Sequence, residues 1–265
     1  MILLDPLARP VIGHRGNRAH APENTLASFH EAVALGVDAI EFDLRVSRDG
    51  VLMVFHDATL ERTTDATGPL ADRTAAELGR VDAGANFTPD GGRSFPWRGR
   101  GATVSTFDEV VESLPRALEF IVELKTPIAA EPVRAAIARH GIAGRVIVAG
   151  FDPAATRPLR GAGFALGAST PDVVRLVLPA LLRRRLGAPA FQALCIPPRW
   201  KGIPVPVAAL ARGLRGSGTV IHVWTINDPA DAIGLWNIGV QGIVSDDPAT
   251  ILAARPWRRS AERPA

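Results

Sequence analysis

Eight short apolar runs, beginning near Val11, Ala39, Phe120, Val146, Phe164, Phe191, Val220 and Gly242, punctuate this chain, and stretches of helical character lie between them. That alternation leaves few folds open. Parallel strands need a crossover long enough to hold a helix, and repeated βα units bury such strands between layers. Eight units in 265 residues match the roughly 250 residues of a (β/α)8 barrel. The expected architecture is therefore α/β, a (β/α)8 TIM barrel forming one domain over residues 1–265. In such a barrel the chemistry gathers where the strands end, at the C-terminal mouth.

The strand ends of the first units carry the residues that matter. Val11-Ile12-Gly13 stops at His14-Arg15-Gly16, where a glycine permits a sharp turn. Asn24 or Thr25 can cap the helix that follows, and Gly36 can stop it. In Ala39–Leu44, Glu41 and Asp43 stand two residues apart and so project from the same face of a strand. Carboxylates buried among Ile40, Phe42 and Leu44 need a cation beside them, and two oxygen ligands delivered to one point suit a hard divalent ion, Mg²⁺ or Ca²⁺. A turn at Ser47–Gly50 returns the chain through Val51–Phe55 to His56-Asp57. Two imidazoles flanking a metal-bound anion can act as base and acid in turn, a layout suited to cleaving a phosphodiester. In the run from Phe120 to Lys125, Glu123 and Lys125 share a face. Lysine occurs at only two of the 30 basic positions, Lys125 and Lys201, so its retention beside Glu123 points to a need for a compact ammonium.

These motifs resemble those of the glycerophosphodiester phosphodiesterases. HRG at His14, PENT at Pro22, the Glu-x-Asp strand and the Asp49-Gly50 to His56-Asp57 run follow the family's order, as do Val122–Lys125, Val223–Asn227 and Gly242–Asp246. The resemblance covers nearly the whole chain. It implies metal-dependent hydrolysis of glycerophosphodiesters to glycerol 3-phosphate and an alcohol, with His14 and His56 as the acid and base. It further implies one divalent cation on Glu41, Asp43 and Glu123, and a phosphate held by Arg15 and Lys125. Trp224, at the mouth, either walls in a glycerol backbone or fills the barrel top. In the fourth unit Ala149-Gly150 replaces a polar pair common in the family, which removes a hydrogen bond to substrate or to a water on the metal.

Residues 58–103 break the alternation and read as an insertion after the second strand, placed over the barrel mouth. Phe87, Phe95 and Trp97 either form its core or help select the group beyond the phosphate. His20, His30 and His140 read as solvated or structural, His222 as a hydrogen-bonded core residue, and Asp246 and Asp247 as turn and cap. The stretch Val173–Leu186, with Arg183-Arg184-Arg185 near its end, is more apolar than an outer barrel helix requires and either packs on neighbours or touches a membrane or second subunit. The tail from Arg255 to Ala265 is polar and expected to fray.

Composition narrows the remaining choices. Basic residues are dispersed among 27 acids, so a net charge of +3 does not predict nucleic-acid binding. No apolar run is long enough to span a bilayer, and Asp5, Pro6 and Arg9 interrupt any signal-like N-terminus, which with a lone Cys195 predicts a cytoplasmic protein. Two rivals keep most of this reading: a lysophospholipase D-like phospholipid diesterase, and a catalytically weak barrel that only binds a phosphorylated ligand.

Overall fold

The computed structural model describes residues 1–256; the expected fraying of the tail falls, from Trp257 onward, outside them. Eight parallel strands alternate with eight helices: β1 (Val11–His14), α1 (Leu26–Leu35), β2 (Ala39–Val46), α2 (Phe107–Ser113), β3 (Glu119–Leu124), α3 (Ala130–His140), β4 (Val146–Ala149), α4 (Pro153–Thr156), β5 (Ala165–Leu166), α5 (Thr170–Leu181), β6 (Ala193–Ile196), α6 (Val207–Leu214), β7 (Val220–Val223), α7 (Pro229–Asn237), β8 (Gly242–Ser245) and α8 (Pro248–Ala254). The order around the sheet is β5-β4-β3-β2-β1-β8-β7-β6. A parallel bridge between Gly167 and Ala193 and the bond from Ala168 N to Ala193 O (2.8 Å) draw β5 and β6 together. The result is the nearly closed barrel that the strand count predicts.

Local signals set the helix limits. Thr25 rather than Asn24 caps α1, its side chain accepting from Ser28 N, and Gly36 ends the helix in the left-handed conformation. Thr106 and Glu109 form the reciprocal capping box of α2. The expected helix over Val173–Leu186 instead spans Thr170–Leu181; Pro179 lies in its last turn, and Arg183 has a φ of 56°. It packs on α6, but Val174, Leu178, Leu181 and Leu182 remain more than half exposed. Among the described residues, no helix is long and apolar enough to cross a membrane.

The alternation of side chains along each strand divides the core into two layers. Outward residues of the strands meet the helices, as in the cluster where Phe42 lies 5.7 Å from both Phe29 and Phe120 and 6.1 Å from Phe107, between ring centroids. Inward residues such as Ile12, Ala39, Ile121, Ile147 and Val220 fill the barrel, and Leu3 joins them from the N-terminal end. Glu119 accepts from Ile2 N and Leu3 N at 2.6 and 2.9 Å, tying that plug to β3.

His222 sits at the same end, fully buried, with Nε2 donating to Leu3 O at 3.0 Å. Its ring lies so close to Gly242 that a β-carbon there would fall 2.0 Å from Nδ1. Overpacking of this kind costs about 1–3 kcal/mol, so Gly242→Ala is expected to lower Tm by several degrees. Burial lowers the His222 pKa to about 4, below the ordinary 6.5, so the unfolded chain takes up a proton that the folded one refuses. The neutral ring stabilises the fold fully above pH 6.5, and that contribution, on the order of 3 kcal/mol, is lost as pH falls towards 4. Urea melts at pH 7 and pH 4.5 check this: His222→Gln should reduce the difference between them, and an unchanged difference would remove His222 as its source.

Candidate active site

Strand register assembles the site. His14 on β1 pairs with Glu41 on β2, and Asp43 on β2 pairs with Glu123 on β3, so three neighbouring strands deliver their polar residues to one end of the barrel. One carboxylate oxygen each from Glu41, Asp43 and Glu123 lie within 4.8 Å of one another. β2 then runs beyond the barrel and folds back as an antiparallel strand, Leu52–Val54. Phe55 N donates to Asp43 O at 3.0 Å, which returns His56 to the level of the acids. His14, Arg15, Glu41, His56, Glu123, Lys125 and Trp224 line one cavity of about 80 Å³. Asp43 lies just behind it, 1% exposed at its side chain.

Gly16 gives the first loop its shape, because with φ at 90° it lies so near Ser28 that a β-carbon would sit 2.3 Å from the hydroxyl. The tight turn brings Arg15 back over β2, where its N–H donates to Glu41 O at 2.8 Å and its Nε lies 3.1 Å from Asp43 Oδ2. Lys125 Nζ contacts Glu123 Oε1 at 2.5 Å and Asp43 Oδ1 at 2.9 Å. Two cations thus face two buried acids and a half-buried third. Burial and the nearby Asp43 push the Glu41 carboxyl well above its usual range, and the same two causes raise Glu123. Burial also opposes ionisation of Asp43, but Lys125 and Arg15 outweigh it and hold that group low. Asp43 Oδ1, although beside Lys125, has no hydrogen bond of good geometry. A surplus of buried oxygen donors that resist sharing negative charge is the setting a hard divalent cation fits.

Each cavity histidine is oriented by an aspartate. His14 Nδ1 lies 2.6 Å from Asp246 Oδ1, and His56 Nδ1 lies 2.5 Å from Asp57 Oδ1. Both aspartate pKa values are held below the usual range, so the carboxylates accept and each Nδ1 carries the proton. The second nitrogen, Nε2, is left with its lone pair. Burial lowers both histidine pKa values, which keeps the rings neutral at pH 7. Burial raises the Cys195 thiol to about 12, which removes it as a nucleophile.

The chain matches the model of the "Glycerophosphoryl diester phosphodiesterase family" over residues 14–250. The chain belongs to this family. It is 31% identical over 249 residues to a glycerophosphodiester phosphodiesterase of Caldanaerobacter subterraneus subsp. tengcongensis, covering 91% of this chain and 96% of that protein. It is 27% identical to the Bacillus subtilis glycerophosphodiester phosphodiesterase, covering 93% and 86%. An Oleispira antarctica phosphodiesterase, solved in complex with the product sn-glycerol-3-phosphate, superposes with a TM-score of 0.74 at 26% identity over 95% of this chain and 98% of that one. The glycerophosphoryl diester phosphodiesterase domain of a Mycobacterium tuberculosis protein shares the fold, with a TM-score of 0.81 at 23% identity over 93% and 98%. This chain is accordingly an enzyme, a phosphoric diester hydrolase acting on glycerophosphodiesters.

The cavity is supported by residues that the sequence did not single out. Asp246, expected to serve only as a turn, is the partner of His14, and Asn227 braces it by accepting from Asp246 N at 2.9 Å. Asn24, read as a possible cap, instead donates to Asp43 Oδ2 at 2.9 Å. Glu23 accepts from Arg15 at 2.8 Å and from Arg62 at 2.6 and 3.0 Å. Burial alone would raise the Glu23 pKa, but Arg62, Arg15 and Arg18 bring it to about 2. Arg62 also pairs with Asp57, the partner of His56. Within residues 58–103, the aliphatic set Leu60, Leu70, Leu78 and Val81 forms a small core with Met53 and Phe55. Phe87, Phe95 and Trp97 are only half-buried and outside that cluster; Trp97 Nε1 donates to His20 O at 3.2 Å.

Arg62→Ala should separate orientation from stability. Its side chain is 46% exposed, and exposed ion pairs contribute about 0.2–1 kcal/mol, so Tm should change little. Freed from Arg62, Asp57 holds His56 less firmly, and kcat should fall on the order of tenfold. A lowered Tm with unchanged kcat would make the residue a purely structural strut.

Proposed function

We propose that this hydrolase cleaves water-soluble glycerophosphodiesters to sn-glycerol 3-phosphate and the free head-group alcohol, with His14 and His56 moving the protons. The observation that carries this reading is the meeting, in one cavity, of two aspartate-oriented imidazoles with the acids Glu41 and Glu123 and the cations Arg15 and Lys125. Glu41, Asp43 and Glu123 would hold one divalent cation, Mg²⁺ or Ca²⁺. When bound, such an ion stabilises negative charge on a phosphoryl oxygen.

The protein's own groups do the rest. Arg15 and Lys125 attract the phosphodiester anion to the mouth, and the planar guanidinium can bind two of its oxygens at once. One imidazole, through its Nε2 lone pair, removes a proton from the attacking hydroxyl. The other, taking up a proton when the phosphodiester anion binds beside it, gives that proton to the departing alkoxide, which is a poor leaving group without it. The attacking hydroxyl belongs either to water or to the glycerol carbon next to the ester, in which case a cyclic phosphate forms and water opens it. The indole of Trp224 forms the apolar side of the glycerol subsite, with Phe151 beside it at 5.8 Å between ring centroids. Ala149 and Gly150 offer no side-chain hydrogen bond at that wall, so specificity there rests on shape. A cytoplasmic setting is supported by the lone cysteine, which is free.

The test is cleavage of glycerophosphocholine and glycerophosphoethanolamine by purified protein with Mg²⁺, with Ca²⁺ and with chelator, reading sn-glycerol 3-phosphate and the head group separately. Cation-dependent release of both products is the expected result. Cation binding without release from either diester would leave a phosphate-binding barrel.

A further inference from the structure

Three guanidinium groups converge on Glu23, although its side chain is only 10% exposed. Its Oε1 accepts from Arg15 Nη1 at 2.8 Å and from Arg62 Nη2 at 2.6 Å. Its Oε2 accepts from Arg62 Nη1 at 3.0 Å and lies 3.3 Å from Arg18 Nη2. Arg15 belongs to the proposed phosphate site, but Arg18 and Arg62 do not, and each leads to a different histidine. Arg62 pairs through Nε with Asp57 Oδ2, and the other oxygen of Asp57 lies 2.5 Å from His56 Nδ1. Arg18 Nη1 lies 3.6 Å from Asp246 Oδ1, the same oxygen that lies 2.6 Å from His14 Nδ1. The two arms meet at Glu23.

The arms bridge loops that follow three different strands: Glu23 comes after β1, Arg62 lies in the insertion after β2, and Asp246 comes after β8. Glu23 itself is carried on a fixed turn. Its neighbour Asn24 donates N–H to Arg15 O at 3.1 Å and Nδ2 to Asp43 Oδ2 at 2.9 Å, and Thr25 Oγ1 donates to Pro22 O at 2.7 Å. A carboxylate held this way can serve as the fixed point for its partners. The two arms are unequal. Asp246 has a second brace in Asn227, whose Oδ1 accepts from its N–H at 2.9 Å and whose Nδ2 lies 3.4 Å from Oδ2. Among the described residues, the Asp57 side chain has hydrogen-bond partners only in His56 and Arg62. Loss of Arg62 should therefore tell more than loss of Arg18.

We propose that Glu23 is a positioning residue for both proton-transfer histidines, acting on His56 through Arg62 and Asp57 and on His14 through Arg18 and Asp246. The inference rests on the reading of His14 and His56 as the acid and base. One ring takes a proton from the attacking hydroxyl while the other gives one to the leaving group, so the two must stand at a fixed separation. A misplacement of about 1 Å can cost about 10²-fold in rate. A carboxylate that served only to hold Arg15 would act on substrate binding instead, and its loss would raise KM and spare kcat.

Proton NMR of the cation-free protein reads the two Nδ1–H signals, which a histidine–aspartate hydrogen bond moves far downfield and which His14→Ala and His56→Ala identify. Glu23→Gln should shift or broaden both, Arg62→Ala that of His56, and Arg18→Ala that of His14. In turnover of glycerophosphocholine, Arg18→Ala should lower kcat about threefold and Arg62→Ala about tenfold, and Glu23→Gln should lower it by about their product, roughly thirtyfold. In an Arg18→Ala/Arg62→Ala background, Glu23→Gln should cost less than about threefold in kcat, because the links through which it acts are gone. Both signals unmoved in Glu23→Gln, a kcat loss undiminished in that background, or a raised KM with unchanged kcat each overturns the proposal. If Glu23→Gln does not fold, Glu23→Asp replaces it: the charge is kept, but a carboxylate one methylene shorter cannot keep all of the contacts, so at least one signal should move, and two unmoved signals overturn the proposal. If His14→Ala and His56→Ala both keep wild-type kcat, the proton-transfer reading fails, and the NMR signals alone then uphold or overturn the frame.

Discussion

Glu41→Gln is expected to abolish both turnover and stabilisation by divalent cation while leaving the cation-free fold as stable as before, or more so. Glu41 is 8% exposed and faces two other carboxylates across less than 5 Å. In the cation-free protein its ionised form is repelled by Asp43 and poorly solvated, so a neutral amide of the same shape removes a repulsion. The same replacement removes one of the three proposed cation ligands. Wild-type protein should gain about 2.7 kcal/mol when the cation is present at a hundred times its Kd, and the variant should gain far less. Thermal melts with Mg²⁺, Ca²⁺ and chelator measure this without reference to catalysis. Asp43→Asn makes the contrast, because Asp43 pairs with both Arg15 and Lys125. Removing one partner from a buried pair costs about 3–5 kcal/mol, so that variant should lose stability as well. Full cation stabilisation in Glu41→Gln would take Glu41 out of the ligand set.

His14→Ala is expected to lower kcat by about 10²- to 10⁴-fold, the usual worth of one acid or base group, with a much smaller change in KM. The ring lies deep in the site, 7% exposed, and its Nε2 is 3.8 Å from Glu41 Oε2. Asp246→Asn should act through it. A side-chain amide can present its NH2 to Nδ1 and move the imidazole proton to Nε2, the nitrogen proposed to exchange a proton with the substrate. That variant should therefore lose much of kcat while binding cation normally in the melts above. A His14→Ala enzyme within tenfold of wild-type kcat would reassign the proton transfer to another group.

Much of this site is local in sequence. The Glu41–Asp43 pair is legible because a strand puts alternate residues on one face, and the apolar alternates Ile40, Phe42 and Leu44 show that face to be buried. His14, His56 and Lys125 are legible because each lies just where an apolar run ends. The partners of these residues are another matter. Asp246 lies 232 positions from His14 and sits in a run that reads equally well as the start of a helix. Asn24 and Glu23 precede helix α1 in a pattern that suits capping, and nothing local says that they turn inward.

The sequence by itself determined the eight βα units, the strand ends at which chemistry can gather, and the acids, imidazoles and cations placed there. These follow from apolar spacing, turn residues and the alternation of side chains, all of which act over a few residues. Only the tertiary structure decided that Asp43 stands beside Glu123, that Asp246 holds His14, and that Arg62 links Glu23 to Asp57. Those contacts depend on the register between parallel strands and on closure of the barrel. Both are settled by packing between segments far apart in the chain, which no local pattern encodes.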